Sequence, residues 1–321
     1  MNLLEQKQSA PAVKSTAVFG DYLIMLIVPA VISIWYYGTA AVHTLIICAA
    51  SSILLDFVFS VLFNKQYYAA DLSGLCTGLM IAMMMPAAVP AYVCVLACAF
   101  AILVIKIPFG GGMRAPFVPA AAGFASAAVC FKDLVFTYSG GREFMGSASL
   151  GSILQAGGSV RITSASFLDI FTGNIYGPMG TGCAAVFLGC ICFLLIRRRD
   201  ALISSAAFLG AVIVFSLVLP RTGGTALSSL LLELSSGSLL FAAVFFLTDY
   251  STLPGHTLNR IVYGLFTGII CMVMRRRGIY EEPVCFAVIL GNAFSPLLDN
   301  VTDRLQVIFT SGKSKKEAYD R

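Results

Sequence analysis

The sequence predicts an all-α integral membrane protein of about ten transmembrane helices, arranged as two inverted five-helix repeats with some short or broken helices. Three observations carry this expectation. Of 321 residues, 58% are apolar and 12% charged, with a mean hydropathy of +0.88, whereas a soluble domain carries about 25% charged residues. The apolar residues gather into ten stretches, each comparable to the about 20 residues that a bilayer-spanning helix needs. Finally, Pro86 to Gly110 and Pro254 to Gly278 are both 24 residues, and each pair brackets one stretch. Two halves of five spans each must run in opposite senses, as in the inverted repeats of many transport folds.

In the first half, residues 19–131, the stretches cover 19–37, 40–63, 73–87, 90–108 and 117–131. In the second, residues 179–303, they cover 179–196, 201–219, 229–248, 258–275 and 283–299. Polar tails, 1–18 and 304–321, flank the two halves, and no cleavable signal precedes the first apolar run. Stretches 73–87 and 117–131 are short, and 229–248 is interrupted by Ser235-Ser236-Gly237-Ser238. Such spans persist in lipid only where neighbouring protein satisfies their backbone or where they line a cavity. They predict a bundle with a binding site inside. Residues 132–178, rich in Gly, Ser and Thr, read as a long outward-facing loop, and a loop of that length is more often functional than a mere connector.

With the amino terminus in the cytoplasm, inward-facing segments hold fourteen Lys and Arg residues and outward-facing segments seven, which places both termini inside. The outward Arg275-Arg276-Arg277 run opposes that assignment. The net charge of +5 comes from short basic runs beside apolar stretches, a pattern for lipid headgroups and orientation rather than for nucleic acid. Composition thus excludes a disordered chain, a nucleic-acid module and an ordinary cytosolic enzyme. Most of the ten cysteines lie in apolar runs, and with only two histidines they form no metal-ligand spacing. Intramembrane charge is sparse. Glu233 costs about 2.5 to 3.5 kcal/mol at bilayer depth, so it either faces the bundle, where it would take up a proton or cation, or sits at the interface and reaches water. Asp56 and Asp249 read as interfacial or capping groups, and Lys106 as a side chain snorkelling to the headgroups in preference to pairing with a cofactor phosphate.

Four stretches stand out as motifs: Asp71-Leu72-Ser73 to Thr77-Gly78-Leu79 with Met85-Pro86; Lys106 to Gly112 leading into Pro116-Phe117-Val118-Pro119-Ala120; Phe171-Thr172-Gly173-Asn174-Ile175-Tyr176-Gly177; and Phe246-Leu247-Thr248-Asp249-Tyr250. Gly, Asn and Pro at helix ends allow tight turns and close backbone approach to a ligand; taken singly, each stretch reads equally as turn chemistry between packed helices. As an ordered set they resemble the family of the RnfD subunit of Rnf-type ion-translocating ferredoxin:NAD oxidoreductases, whose relative is the NqrB subunit of the sodium-pumping NADH:quinone oxidoreductase. The resemblance runs from about Asp21 to Asp303. It implies a ten-span subunit in the bacterial cytoplasmic membrane, with FMN phosphoester-linked to a hydroxyl residue on the outer side. That flavin, loaded by a flavin transferase, would pass electrons among the membrane and peripheral subunits of a complex coupled to cation transport. By the same resemblance a second, noncovalent flavin (riboflavin or FMN) belongs inside the bundle.

The family's attachment motif resembles D-x-x-[ST]-G-A-[ST], and the aligned stretch here is Val160-Arg161-Ile162-Thr163-Ser164-Ala165-Ser166. Ser166 supplies the acceptor hydroxyl, while Val160 replaces the Asp and Ser164 the Gly. Two readings stand: FMN covalently held at Ser166, or a Ser-rich loop that binds flavin noncovalently or not at all. Thr163 and Asn174 are the expected hydrogen-bonding neighbours, and the amides from Gly173 to Gly177 the expected phosphate cradle. Further departures mark a divergent member: Val118-Pro119-Ala120 for Asn-Pro-Ala, Gly123-Phe124 for Gly-Arg, and Gly180-Thr181-Gly182-Cys183 for Gly-Glu-Thr-Ser. The expected role is a flavin-carrying electron-transfer subunit of a redox-driven ion translocase, not catalytic alone. The alternatives are a ten-span solute channel or transporter without redox activity, and a cofactor-less scaffold subunit.

Overall fold

The computed structural model describes residues 15–62, 72–111, 113–138, 149, 151, 171–173, 177–221, 226–235, 238–278 and 280–319, without the side chains of 15, 16, 228 and 303–319. Among the described residues there are helices and turns and no strand. The helices are α1 Ser15–Tyr37, α2 Thr39–Leu62, α3 Ser73–Met84, α4 Ala91–Ala99, α5 Pro119–Cys130, a single turn α6 Lys132–Val135, α7 Ala184–Arg197, α8 Leu202–Val218, α9 Ala226–Ser235, α10 Leu239–Phe245, α11 Thr257–Arg277 and α12 Val284–Tyr319. A π-helical stretch, Phe100–Lys106, continues α4.

Four of these are long and apolar enough to cross a membrane: Ala17–Tyr37, Thr39–Leu62, Thr257–Arg277 and Val284–Thr302. Only 17% of the α2 span is buried against protein, and large apolar side chains such as Trp35, Phe57 and Leu62 point outward. Exposed apolar area on that scale needs lipid or a partner to cover it. This is a multi-pass membrane protein. The short helices lie elsewhere: every residue of α10 and nearly all of α3 are buried, so the long helices shield them from lipid. The expected break in stretch 229–248 is present between α9 and α10, whereas the last helix runs well past the anticipated residue 299, to Tyr319.

The neighbour relations of the first five elements recur in the second set. α1 packs on α2 and α3, α2 on α3 and α4, α3 on α5, and α4 on α5; likewise α7 packs on α8 and α10, α8 on α9, α10 and α11, α10 on α12, and α11 on α12. Across the two sets α1 meets α7 and α5 meets α12. Glycines make the closest of these approaches. Gly74 and Gly78 of α3 lie against Asp56, Ser52 and the Cys48 carbonyl of α2, and Gly264 and Gly268 of α11 lie against Ser204, Ala207, Phe208 and Ala211 of α8. Both are Gly-x-x-x-Gly pairs, which let helix backbones come together where lipid supplies no hydrophobic drive.

The buried helix ends have their backbone groups satisfied by remote segments, as a span ending inside a membrane requires. Past α3 the chain extends at Met85. There the amide of Met179 donates to the Met85 carbonyl at 3.1 Å and that of Gly180 to Met83 at 2.9 Å. Past α10, Tyr22 donates to the Thr248 carbonyl at 2.6 Å and Ser204 to the Leu247 carbonyl at 3.0 Å.

Candidate functional site

Ser166, Thr163 and Asn174 lie outside the described residues, so the proposed attachment point has no described geometry. Gly173 and Gly177 are described. Gly173 has φ +89°, in the left-handed region, and a Cβ on it would come within 2.9 Å of the Cys183 amide nitrogen; turn and packing together demand glycine. A Cβ on Gly177 would meet open space, so packing does not demand glycine there. Two tyrosines at the end of α1 hold this segment: Tyr36 donates to the Thr172 carbonyl at 3.4 Å and Tyr37 to that of Gly177 at 3.5 Å. Gly173, Tyr36, Tyr37 and the turn Pro178–Cys183 line a narrow cleft.

Three of the four motif stretches converge on a second, narrow cleft at the other end of α1. Ser73, Cys76 and Thr77 from the start of α3, Val118 to Ala120 from the start of α5, and Asp249 line it, with Phe19 and Tyr22 of α1. Arg198 closes one flank, its guanidinium 5.3 Å from the Tyr22 ring centre and 5.6 Å from that of Tyr250. Next to it Arg197 pairs with Asp21 at 3.0 Å. Asp249 is a turn group here, its Oδ1 accepting from the Ser251 amide at 3.2 Å, in keeping with its expected capping role.

One expectation about charge is corrected, and one of the two readings of Glu233 is excluded. Lys106 does not snorkel: it is buried and pairs with Asp56 at 2.7 Å. The reason lies in the π stretch, where Ile107 donates to Ile102, five residues back; the wider turn brings Lys106 against α2. Asp56 is accordingly a paired group that is partly exposed. Glu233 does not reach water, being 1% exposed. Arg221 meets its Oε1 at 3.0 Å and Arg275 its Oε2 at 2.6 Å, while Arg275 also faces Glu282 at 3.6 Å. Glu282 in turn accepts from the amide and hydroxyl of Ser238, at 3.2 and 2.6 Å, where α10 begins. A carboxylate at a helix N-terminus answers its unsatisfied amides, so this network stabilises the break between α9 and α10. Of the Arg275-Arg276-Arg277 run, Arg275 is buried in ion pairs, Arg276 stacks 5.3 Å from the Phe215 ring and Arg277 is exposed.

The Lys106–Asp56 pair is asymmetric, with side chains 3% and 26% exposed. Asp56→Ala takes away the carboxylate that offsets a buried ammonium, whereas Lys106→Ala leaves a carboxylate that already touches solvent. Thermal unfolding of the detergent-solubilised protein will show Asp56→Ala to be the more damaging change, at a cost of the order of 3 kcal/mol; the reverse ranking would contradict the pairing.

With this geometry in view, comparison with known proteins decides the family. A profile of the NQR2, RnfD, RnfE family matches residues 8–307. The chain belongs to that family. Similar relatives include the D subunit of the Na(+)-translocating ferredoxin:NAD(+) oxidoreductase complex of Acetobacterium woodii, 27% identical over 309 residues that cover 95% of this chain and 94% of that protein. The D subunit of the ion-translocating oxidoreductase complex of Ectopseudomonas mendocina is 26% identical, covering 87% and 88%. The D subunit of the proton-translocating ferredoxin:NAD(+) oxidoreductase complex of Clostridium ljungdahlii is 25% identical, covering 85% and 86%. These names differ in the translocated ion, so family membership alone leaves the ion open. Within the family frame, the cleft built by three motif stretches and the loop end beside Tyr36 and Tyr37 are the two places to look for ligands. The sequence singles out the stretches but not their convergence, since they lie as much as 176 residues apart, from Ser73 to Asp249.

Proposed function

We propose that this chain is the flavin-carrying electron-transfer subunit of a membrane-bound, ion-translocating oxidoreductase of the Rnf type. The observation that carries the reading is family membership along nearly the whole chain, with D subunits of such complexes as relatives. Other membrane and peripheral subunits of the complex are its partners, and the bacterial cytoplasmic membrane is its place. Both termini face the cytoplasm, the basic run Arg197–Arg199 lying on that side and the loop 132–178 outside. Ten spans in two inverted halves suit the recurring neighbour relations, with the pair α9–α10 counted as one span and α4 with its π stretch as another.

FMN is carried on Ser166, as the phosphoester that remains when the hydroxyl displaces the leaving group of a flavin transferase substrate. Thr163 and Asn174 hydrogen-bond it, and the amides of Gly173 and Gly177 approach its phosphate. The open space at Gly177 leaves its backbone accessible to a group of that kind. A second, noncovalent flavin, riboflavin or FMN, fits the chemistry of the cleft lined by Phe19, Tyr22, Thr77 and Asp249: aromatic faces with a few polar groups. A bound flavin supplies the one-electron chemistry, and the protein orients it, excludes water and tunes its potential.

The test is direct. Purified protein, co-expressed with a flavin transferase, is denatured and run on a gel. The wild type will carry flavin fluorescence in the band and Ser166→Ala will not. Fluorescence that survives the substitution removes Ser166 as the anchor. Absence of both covalent and extractable flavin from the wild type overturns the electron-carrier reading.

A further inference from the structure

The short segment from Tyr280 to Pro283 joins α11 to α12 and carries two adjacent carboxylates that face different surroundings. Glu282 turns toward Ser238 and Arg275. Glu281 turns toward Ser149, whose hydroxyl donates to its Oε2 at 2.5 Å. A Cβ at Gly151 would stand 3.5 Å from Glu282 Oε1 and 3.6 Å from Glu281 Cβ, so residues of the segment 132–178 rest on both. Arg221, Arg275, Glu233 and Glu282 form a charge-balanced set. Glu281 adds one more negative charge beside it and has no ion pair among the described residues. Lys132 stands 5.7 Å over the ring of Tyr280, which is next to Glu281 in the chain. The Tyr138 phenol is a further titratable neighbour among the described residues.

We propose that Glu281 is a proton-binding site at the α1 Tyr37 end of the bundle, taking a proton from the adjacent aqueous phase when negative charge arrives in segment 132–178 and releasing it when that charge leaves. The site itself stands on the geometry above; its coupling to arriving charge rests on the flavin reading. Burial pushes the Glu281 carboxyl above its ordinary value near 4.5; the Ser149 hydroxyl opposes this, Glu282 adds to it, and Lys132 opposes it. If an electron from a low-potential one-electron donor added a negative charge to that segment, the Glu281 carboxylate would take one proton from the aqueous phase, forming an O–H bond. Reoxidation reverses both, so the net charge of the region is unchanged. An unbalanced charge in a partly buried site is costly, and a proton is the compensating ion that a carboxylate can take up without rearrangement.

Infrared titration of the whole protein in detergent tests the site. The carbonyl band of a protonated carboxyl should persist above the ordinary carboxylate range and vanish in one step, and Glu281→Gln should lack that step. Ser149→Ala and Lys132→Gln each remove a group that favours the ionised form, so each should move the midpoint to higher pH. A midpoint at the ordinary value, a step retained in Glu281→Gln, or a midpoint unmoved or lowered in both neighbour variants would overturn the assignment; the neighbour variants decide the matter if Glu281→Gln does not fold. Stability gives the same sign. With the folded-state value raised, the stabilisation is fully present below about 4.5 and is lost as pH rises through the folded-state value, a dependence that Glu281→Gln should flatten. For the coupling, an indicator dye in weak buffer should report proton uptake on dithionite reduction of the wild type and less in Glu281→Gln; equal uptake overturns the coupling. A chain without flavin would remove the coupling together with the flavin reading, while the infrared titration would still decide Glu281.

Discussion

Glu233→Leu will lower the thermal stability of the detergent-solubilised protein by about 3–5 kcal/mol, the cost of stranding buried charge. The carboxylate is bracketed by two guanidinium groups, Arg221 on one oxygen and Arg275 on the other, and leucine leaves both facing each other across a buried space with Glu282 as the remaining anion. The network also anchors the start of α10, since Glu282 holds the amide and hydroxyl of Ser238. The loss should therefore be felt as displacement of a wholly buried helix, not only as missing Coulomb energy. A compensating change makes the argument specific. Replacing Glu233 and Arg221 together leaves Arg275 with Glu282, a balanced pair, and apolar replacement of a buried pair is often neutral or stabilising. The double variant should recover most of the loss. A single variant that unfolds like the wild type would show that this network does not hold the break.

Gly78→Leu is expected to be comparably damaging, for a different reason. Even the first carbon of a side chain at that position would overlap Ser52 Oγ and the Cys48 carbonyl oxygen. The hydroxyl could rotate away only by giving up its 2.6 Å bond to that same carbonyl, and the carbonyl belongs to the backbone of α2 and cannot move without the helix. Overpacking of this kind costs about 1–3 kcal/mol and at times more. Gly78→Ala should already lie within that range, and Gly78→Leu beyond it, because α2 and α3 would have to separate. Gly189 and Gly210, where an added Cβ meets nothing within 4 Å, provide the comparison: alanine there should leave unfolding unchanged. Equal melting of Gly78→Ala and Gly210→Ala would contradict the close α2–α3 contact.

The helical character was legible in the sequence because lipid imposes a simple rule of length and apolarity, although the last helix runs from Val284 to Tyr319, well past the expected residue 299. The break at Ser235 to Ser238 was legible for the same reason, since small polar residues interrupt the apolar run. The partners of the charged residues were not. Asp56 and Lys106 are 50 positions apart and Glu233 and Arg275 are 42, and hydropathy has no means of joining them. One signal was available: Lys106 lies 20 residues after Pro86, and Arg275 lies 21 after Pro254. A cation at nearly the same place in each half, with one sparse acid to match it in each, pointed to buried pairs rather than to snorkelling. The π stretch was illegible, because Phe100-Ala101-Ile102-Leu103-Val104-Ile105 reads as ordinary α-helix; only the i→i−5 bond at Ile107 reveals it. The candidate attachment residue was legible only through resemblance, as Ser166 is one serine among several in its stretch.

The central claim is that this chain carries covalent FMN on its long loop, and the mass of one peptide tests it most directly. Trypsin cuts after Arg161 and next after Arg197, so the fragment Ile162–Arg197 contains Ser166. From protein made in a host that supplies a flavin transferase, that fragment should be heavier by FMN less one water, with the added mass localised to Ser166 on fragmentation. An unmodified Ile162–Arg197 fragment from such a host, or the added mass on any other residue, would contradict the account.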